Sequence, residues 1–292
     1  MKVALTGATG FVGSHILAEL RAHGHEVTAL LRDDSHADAV AAQGATPVVV
    51  DFHDPEALAK VLGAADGAVH TASPGDATSA ELDAAVADAA IAAFAGSGKP
   101  YLHISGLWVY GNNAAITEES PFAAPALVAW RESIERRVLA AEGVRGSVIV
   151  SGVVYGDAGG GVPGVLLGSP RDEAGRLITI GSGAQHWPTV HVADLADFFR
   201  RVLESDSAHG YYVVGDGVNS TVAELTAAAA DAVGAAGVVP GSDAEARGRL
   251  GDYFAEALLL DQATAAVKAR ELGWQPTRPA LVDEFRTGSY RQ

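Results

Sequence analysis

Cysteine is absent from the 292-residue chain, which rules out disulfides, thiolate nucleophiles and cysteine-ligated metals. Lysine is scarce: it stands only at Lys2, Lys60, Lys99 and Lys268, so chemistry between residues 99 and 268 that needs a cation must use arginine. No apolar run approaches the roughly 20 residues of a membrane span, and a chain 48% hydrophobic and 19% charged is expected to have no membrane partner. Positive charge is short as well. With 20 Lys and Arg against 36 Asp and Glu, the formal charge of −16 argues against nucleic acid as a partner, because neutralising phosphates takes clustered cations. The opening MKVALTGATG runs straight into a strand pattern, without the apolar stretch and cleavage site of an export signal, and a cytoplasmic location is expected.

What is present is an alternation. Short β-branched or apolar runs at 2–6, 27–31, 46–51, 67–71, 100–105 and 147–151 are separated by helix-like stretches near 12–23, 36–43, 54–62, 78–95 and 126–142. Strands apolar on both sides, alternating with helices at this pitch, predict an α/β fold: a doubly wound parallel sheet of the Rossmann type. Beyond Gly156 the Gly- and Pro-rich GDAGGGVPGVLLGSPRDEAG predicts loops with a short inserted helix. Regular patterns then return in HVADLADFFRRVLES, GYYVVGDG and TVAELTAAAADAVG. The expected division is 1–151 with 186–214 as the dinucleotide-binding domain, and 152–185 with 215–292 as a smaller, discontinuous substrate lobe.

Between the first strand and the first helix stand Gly7, Gly10 and Gly13. Glycine suits all three positions: the chain turns sharply, its backbone must approach a pyrophosphate, and the helix must pack closely on the sheet. The helix N-terminus then offers free N–H groups to the anion. A tight turn alone would also explain such spacing, and the strand before and helix after favour dinucleotide binding.

Thr6, Gly7, Gly10 and Gly13 in T-G-x-x-G-x-x-G, with VVVDFHDPEAL, AVHTASP, HISGLWVYG, WPTVHVADLADF and ARELGWQP in order, resemble the extended short-chain dehydrogenases/reductases, the group of nucleotide-sugar epimerases and dihydroflavonol-type reductases, over nearly the whole chain. The resemblance implies cofactor contacts at Thr6, Gly7, Thr9, Gly10, Phe11, Val12 and Gly13, at Asp51 and Phe52, at Thr71, Ala72 and Ser73, and at Ser151 and Val153. The second strand ends TALLRDD, with Leu31 where NAD users of the family carry an acid and Arg32 next to it. A guanidinium there favours the extra phosphate of NADP(H) over NAD(H). The alternative is a solvent arginine paired with Asp33 or Asp34.

The family's Tyr-x-x-x-Lys is missing. Alignment places Leu127 at the tyrosine and Arg131 at the lysine, no tyrosine lies between Tyr110 and Tyr155, Gly106 takes the serine position with Ser105 beside it, and Ser151 replaces a usual proline. Leu127, Trp130, Ile134 and Val138 predict the buried stripe of an amphipathic helix, with Arg131 on that stripe and able to bond a ribose but not to relay protons. An Arg131–Glu135 surface pair competes with that reading. The catalytic candidates are therefore Ser105, Tyr110 and Arg131, although the family likeness makes Tyr110 structural and a buried, satisfied serine is the plain alternative for Ser105. His186 titrates in a useful range but as readily sits solvated. Trp108, Leu127, Trp130, Tyr155, His186 and Trp187 are the substrate-wall candidates, each aromatic equally at home in a core.

These features together predict an NADP(H)-dependent oxidoreductase acting on a carbonyl or related group of a small, fairly apolar molecule. The rivals are a non-catalytic dinucleotide sensor and an epimerase or isomerase that uses the cofactor transiently. No metal is expected, and the resemblance implies a homodimer through the helices near 78–95 and 126–142.

Overall fold

The computed structural model describes residues 1–291. The first half runs β1 (Lys2–Thr6), α1 (Phe11–Ala22), β2 (Glu26–Leu31), α2 (Ala37–Ala42), β3 (Thr46–Val49), α3 (Pro55–Gly63), β4 (Gly67–His70), α4 (Ser79–Phe94), β5 (Pro100–Gly106), β6 (Asn113–Ile116), α5 (Arg131–Ala140) and β7 (Arg145–Ser151). There follow β8 (Val153–Tyr155), α6 (Gly161–Leu167), β9 (Leu177–Ile178), β10 (His186–His191), α7 (Val192–Glu204), β11 (Gly210–Val214), β12 (Asn219–Thr221) and α8 (Val222–Ala232). Last come β13 (Val238–Val239), α9 (Asp243–Leu250), α10 (Asp252–Leu258), β14 (Gln262–Thr264), α11 (Val267–Glu271) and α12 (Leu281–Thr287).

Seven strands form one sheet in the order β11-β7-β5-β4-β1-β2-β3. β1 pairs in parallel with β2 and β4, β2 with β3, and β4 with β5. The strand order therefore reverses between β1 and β4, the point at which doubly wound sheets bind their ligands. Val3, Leu5, Val69 and Leu102 are buried in these strands, as are Ile16, Leu17 and Leu20 on α1 and Phe94 on α4. Local chemistry agrees with the pattern: Asp54 caps α3 by accepting from the Glu56 and Ala57 N–H groups at 3.0 Å, with Pro55 beginning the helix.

Two compact units result. The first comprises Met1–Ser105, Trp130–Ile149 and Ala196–Tyr212; the second comprises Gly106–Ala129, Val150–Leu195 and the chain from Val213 onward. Against the expected division, residues 106–129, 150–151, 186–195 and 213–214 go with the second unit. Strand pairing explains why. β6 pairs with β14, and β10 lies between β8 and β12, so hydrogen bonds within the second unit claim these segments. Its core is built on Tyr155, Trp187, Leu225 and Phe285. Asp194 closes it locally, accepting from the Thr277 and Arg278 N–H groups at 3.0–3.1 Å while its carbonyl takes the Trp274 indole N–H at 2.9 Å.

The helix expected over 126–142 is shorter than its pattern. Residues 126–130 form turns after Pro125, and α5 begins at Arg131. Leu127 therefore lies outside the helix at 37% exposure, and the buried face of α5 consists of Ile134, Glu135 and Val138. Ile134 and Val138 are buried as the stripe predicts, and the Glu135 carboxyl, outside that stripe, is buried between them.

Candidate functional site

The loop from β1 into α1 is shaped by what its glycines leave out. A Cβ at Gly7, which has φ +77°, would lie 2.6 Å from the Ala72 nitrogen and 2.8 Å from Thr71 Oγ1. A Cβ at Gly13 would lie 2.5 Å from the Gly7 carbonyl carbon, closer still to its oxygen, and 2.8 Å from Thr71 Oγ1. These two glycines let the loop, the helix and the end of β4 meet. Thr71 ties the junction by donating to the Thr6 carbonyl at 2.8 Å. Gly10 differs. Its Cβ would meet nothing nearer than the Gly7 carbonyl oxygen at 3.3 Å, so the surface around it is open. Gly10 is the N-cap of α1, no side chain caps the helix, and its first turn holds no acid. The leading N–H groups, the positive end of the helix dipole and an open backbone face make a cradle that fits a pyrophosphate.

The other cofactor candidates of the first unit lie at the ends of its strands. Arg32 is exposed directly after β2. Its neighbour Asp33 is engaged by Ser35, accepting from the Ser35 N–H at 3.0 Å and from its hydroxyl. Asp51 is exposed with one oxygen on the His53 N–H at 2.8 Å, and Phe52 is buried beside it. Thr9 and Ser73 are exposed, Phe11, Val12 and Ala72 half-buried, and the Ser73 hydroxyl donates to Ser79 Oγ at 3.4 Å.

Beneath α4 and α5 lies a polar layer that the sequence did not announce. Alternation along β5 turns Tyr101, His103 and Ser105 to one face. There Asp83 of α4 meets His70 Nε2 at 3.1 Å, His103 Nε2 at 3.4 Å and Arg131 at 3.3 Å. Thr6 Oγ1 completes His70 Nδ1 at 2.7 Å and accepts from the Thr71 N–H at 3.3 Å; the Tyr101 hydroxyl completes His103 Nδ1 at 3.1 Å. His70 thus has a partner on each ring nitrogen, whereas His103 is bonded through Nδ1 and its Nε2 only approaches Asp83. Burial alone would raise the Asp83 carboxyl, but hydrogen bonding from His103 and His70 holds it well below the usual carboxylate range. Burial pushes His103 down to about 4, the Asp83 contact notwithstanding. Although the ligand-type atoms of His70, Asp83 and His103 lie within 4.8 Å of one another, a guanidinium on the same carboxylate opposes a metal cation, and the cluster is a hydrogen-bonded hub.

That hub places Arg131. It is 15% exposed by side chain, donates to the Ile104 carbonyl at 3.2 Å and lies 4.5 Å from the Trp130 ring. The Arg131–Glu135 surface pair is overturned, since Glu135 is fully buried and the ion pair of Arg131 is with Asp83 on another helix. Trp130 is half-buried.

The second unit holds a cavity of about 180 Å³ lined by residues 106–108, 151–154, Val162, Trp187, Pro188 and Gln262. Trp108, Trp187, Ser151 and Val153 come together here. A Cβ at Gly152 would lie 2.5 Å from the Pro188 oxygen, and this close approach brings β8 against β10. Gln262 holds the Trp108 turn, donating from Nε2 to the Leu107 and Gly111 carbonyls at 2.7 and 2.8 Å, while Phe254 meets the Trp108 ring edge-on at 6.0 Å. Neither residue carried a sequence signal, because Gln262 reaches the cavity, and Phe254 the Trp108 ring, from a distant segment. No lining residue is charged. Tyr155, Tyr110 and His186 take other places: the Tyr155 hydroxyl donates to the Pro279 carbonyl at 2.7 Å in the core, Tyr110 is buried against Phe122 at 5.4 Å, and His186 pairs with Asp261 at 2.9 Å on the surface.

Comparison with known proteins matches residues 7–151 to a family model described as NAD(P)H-binding. An uncharacterised protein of Schizosaccharomyces pombe is 29% identical over 300 residues, covering 99% of this chain and 100% of that protein. The human epimerase family protein SDR39U1 is 28% identical over 306 residues, 96% of this chain and 97% of its own. Its crystal structure with NADPH superposes with a TM-score of 0.77 at 24% identity, covering 100% of both chains. A Streptomyces protein named 3-diazoavenalumate denitrifying reductase is 28% identical over 313 residues, 97% of this chain and 98% of that protein.

Proposed function

We propose that the chain, whose residues 7–151 match an NAD(P)H-binding family model, is an extended short-chain dehydrogenase/reductase and works as an NADP(H)-dependent oxidoreductase on a carbonyl or related group of a small, fairly apolar molecule. The uncharged cavity carries this reading. At about 180 Å³ between Trp108 and Trp187 it is close to the roughly 150 Å³ that holds a benzene ring. A nucleotide diphosphate would require a cation in that wall, and none stands there. The full-length likeness to a protein named as a reductase favours reduction over sugar epimerisation.

The open cradle at Gly10, with the N–H groups of Phe11, Val12 and Gly13, would hold the pyrophosphate. Arg32 would take the 2′-phosphate, Asp51 and Phe52 the adenine side, and Thr71 to Ser73 the adenosine ribose. When bound, the reduced nicotinamide would supply a hydride, two electrons with one hydrogen. The protein's own part is to exclude water with an aromatic wall and to hold the substrate in one pose. A homodimer through α4 and α5 belongs to the same proposal, and sedimentation at micromolar concentration tests it.

Incubation with NADPH and a panel of ring-sized aldehydes, ketones and unsaturated carbonyls tests the function. Loss of NADPH absorbance matched by reduced product is the expected result. Tight NADPH binding without consumption across the panel would instead favour a sensor, and product without net oxidation an isomerase.

A further inference from the structure

Two tryptophans shape the cavity of the second unit, and an amide gives it polarity. Gln262 of β14 stands in the wall and is 3% exposed. Both hydrogens of its Nε2 are committed, one to the Leu107 carbonyl at 2.7 Å and one to the Gly111 carbonyl at 2.8 Å. This pairing fixes which end of the amide is which, because turning it over would press Oε1 against two carbonyl oxygens. Oε1 is left as an acceptor. It accepts from no described residue, yet it is not sealed in by protein atoms. For a side chain this deeply buried in a cavity wall, the open space it meets is the cavity.

The surroundings define what Oε1 can select. Trp187 commits its indole N–H to the Leu258 carbonyl at 3.2 Å, Ser151 is engaged in a contact of its own, and Val153, Val154, Val162 and Pro188 present hydrocarbon. A ligand that brings a hydrogen satisfies Oε1 and keeps its own donor paired on leaving water. A hydrocarbon of equal size displaces water from Oε1 and leaves it unpaired, which weakens binding. An ammonium would lose its hydration with no counter-ion in an uncharged wall, so the fitting donor is neutral. With Nε2 committed, the amide has no hydrogen left for a carbonyl or ether oxygen. The volume of about 180 Å³ leaves room for one ring and a short substituent, since roughly 150 Å³ holds benzene.

We propose that the cavity binds a ring-sized molecule carrying a neutral hydroxyl or amine hydrogen, and that Gln262 Oε1 is the specificity-determining acceptor that reads it. That such molecules are the substrates rests on the reductase reading; the selection by the cavity does not. The group to be reduced then lies elsewhere on the molecule than the end held by Gln262.

A ligand series on the full chain without cofactor decides the selection. Phenol, aniline and toluene are alike in shape, and anisole keeps the phenol oxygen without its hydrogen; the indole N–H resonances of Trp108 and Trp187 report occupancy. Phenol or aniline should bind about tenfold more tightly than toluene and anisole, the tighter of the two donors showing whether a hydroxyl or an amine hydrogen is read. Toluene or anisole binding as tightly as both donors, or no shift from any of them at millimolar concentration, would overturn the proposal. Gln262→Met, similar in length and checked by its melting temperature, should reverse the order in favour of toluene, and a wild-type order in the folded variant would remove Gln262 from the role. Because that change also releases the Leu107–Gly111 turn, the wild-type series remains decisive should the variant fail to fold. With NADPH, ring-sized carbonyls bearing a hydroxyl or amine should show KM about tenfold below their methyl counterparts; equal KM would overturn the substrate assignment. No NADPH consumption with any of them would sink the reductase reading and the substrate assignment together, with the ligand order still deciding what the cavity selects.

Discussion

Gly13→Ala separates the packing role of the loop from its folding propensity. Gly13 lies within α1, where alanine is ordinarily better than glycine by about 1 kcal/mol, so propensity alone predicts a more stable protein. The added Cβ, however, would lie 2.5 Å from the Gly7 carbonyl carbon and 2.8 Å from Thr71 Oγ1. Ordinary contact begins at 3.4 Å. Backbone cannot yield as a flexible side chain does, so α1 and the Gly7 turn must separate by about 1 Å, and the N–H groups offered to a pyrophosphate lose their common focus. A hydrogen bond to a charged group contributes about 1.5–3 kcal/mol, and losing two weakens binding by about 3 kcal/mol or more, which is over 100-fold in Kd. Calorimetric titration of wild type and variant with NADPH measures this, with circular dichroism confirming the fold. A folded Gly13→Ala protein whose Kd lies within threefold of wild type would refute the reasoning.

Arg32→Asp should weaken NADPH at least about tenfold more than NADH, since it replaces a charge-assisted contact by repulsion; equal weakening would show that Arg32 does not read the phosphate. Asp83→Ala strands two imidazoles and a guanidinium in the interlayer and should cost about 3–5 kcal/mol in denaturant unfolding, a loss under about 1 kcal/mol being inconsistent with the hub. His103 is held down to about 4 from 6.5 by burial, so between those pH values the unfolded chain binds its proton and the folded chain does not. Stability should therefore fall as pH drops from 6.5 toward 4, by about 3 kcal/mol from this group, and His103→Gln should flatten that slope. Glu135 acts in the opposite sense, because its raised pKa favours the fold at low pH and loses that contribution as pH rises. Trp108→Ala should raise KM for ring-sized carbonyls while leaving the Kd for NADPH within threefold; an unchanged KM would remove Trp108 from the wall.

The sheet and its phosphate loop were legible because their determinants are local: strand-length apolar runs, a glycine at each point of close approach, and a helix beginning straight afterwards. α5 was misread at its start because Pro125 and the turns after it interrupt a periodic pattern that continues in the side chains. The hub was hidden for another reason. Asp83 sits in an alanine-rich helix, His70 and His103 sit in apolar strands, and only the sheet order brings them together. Two-residue alternation in β5 placed Tyr101, His103 and Ser105 on one face, and that was the available signal. The cavity was half legible, with Trp108 and Trp187 flagged as wall candidates while Gln262 arrives from a segment far along the chain.

Titration of the full-length chain with NADPH and, separately, NADH tests the central claim most directly. Saturable binding of both is expected at one site per chain, NADPH the tighter by at least about tenfold, with Gly13→Ala weakening both and leaving their ratio in place. Absence of binding by either dinucleotide at millimolar concentration would contradict it.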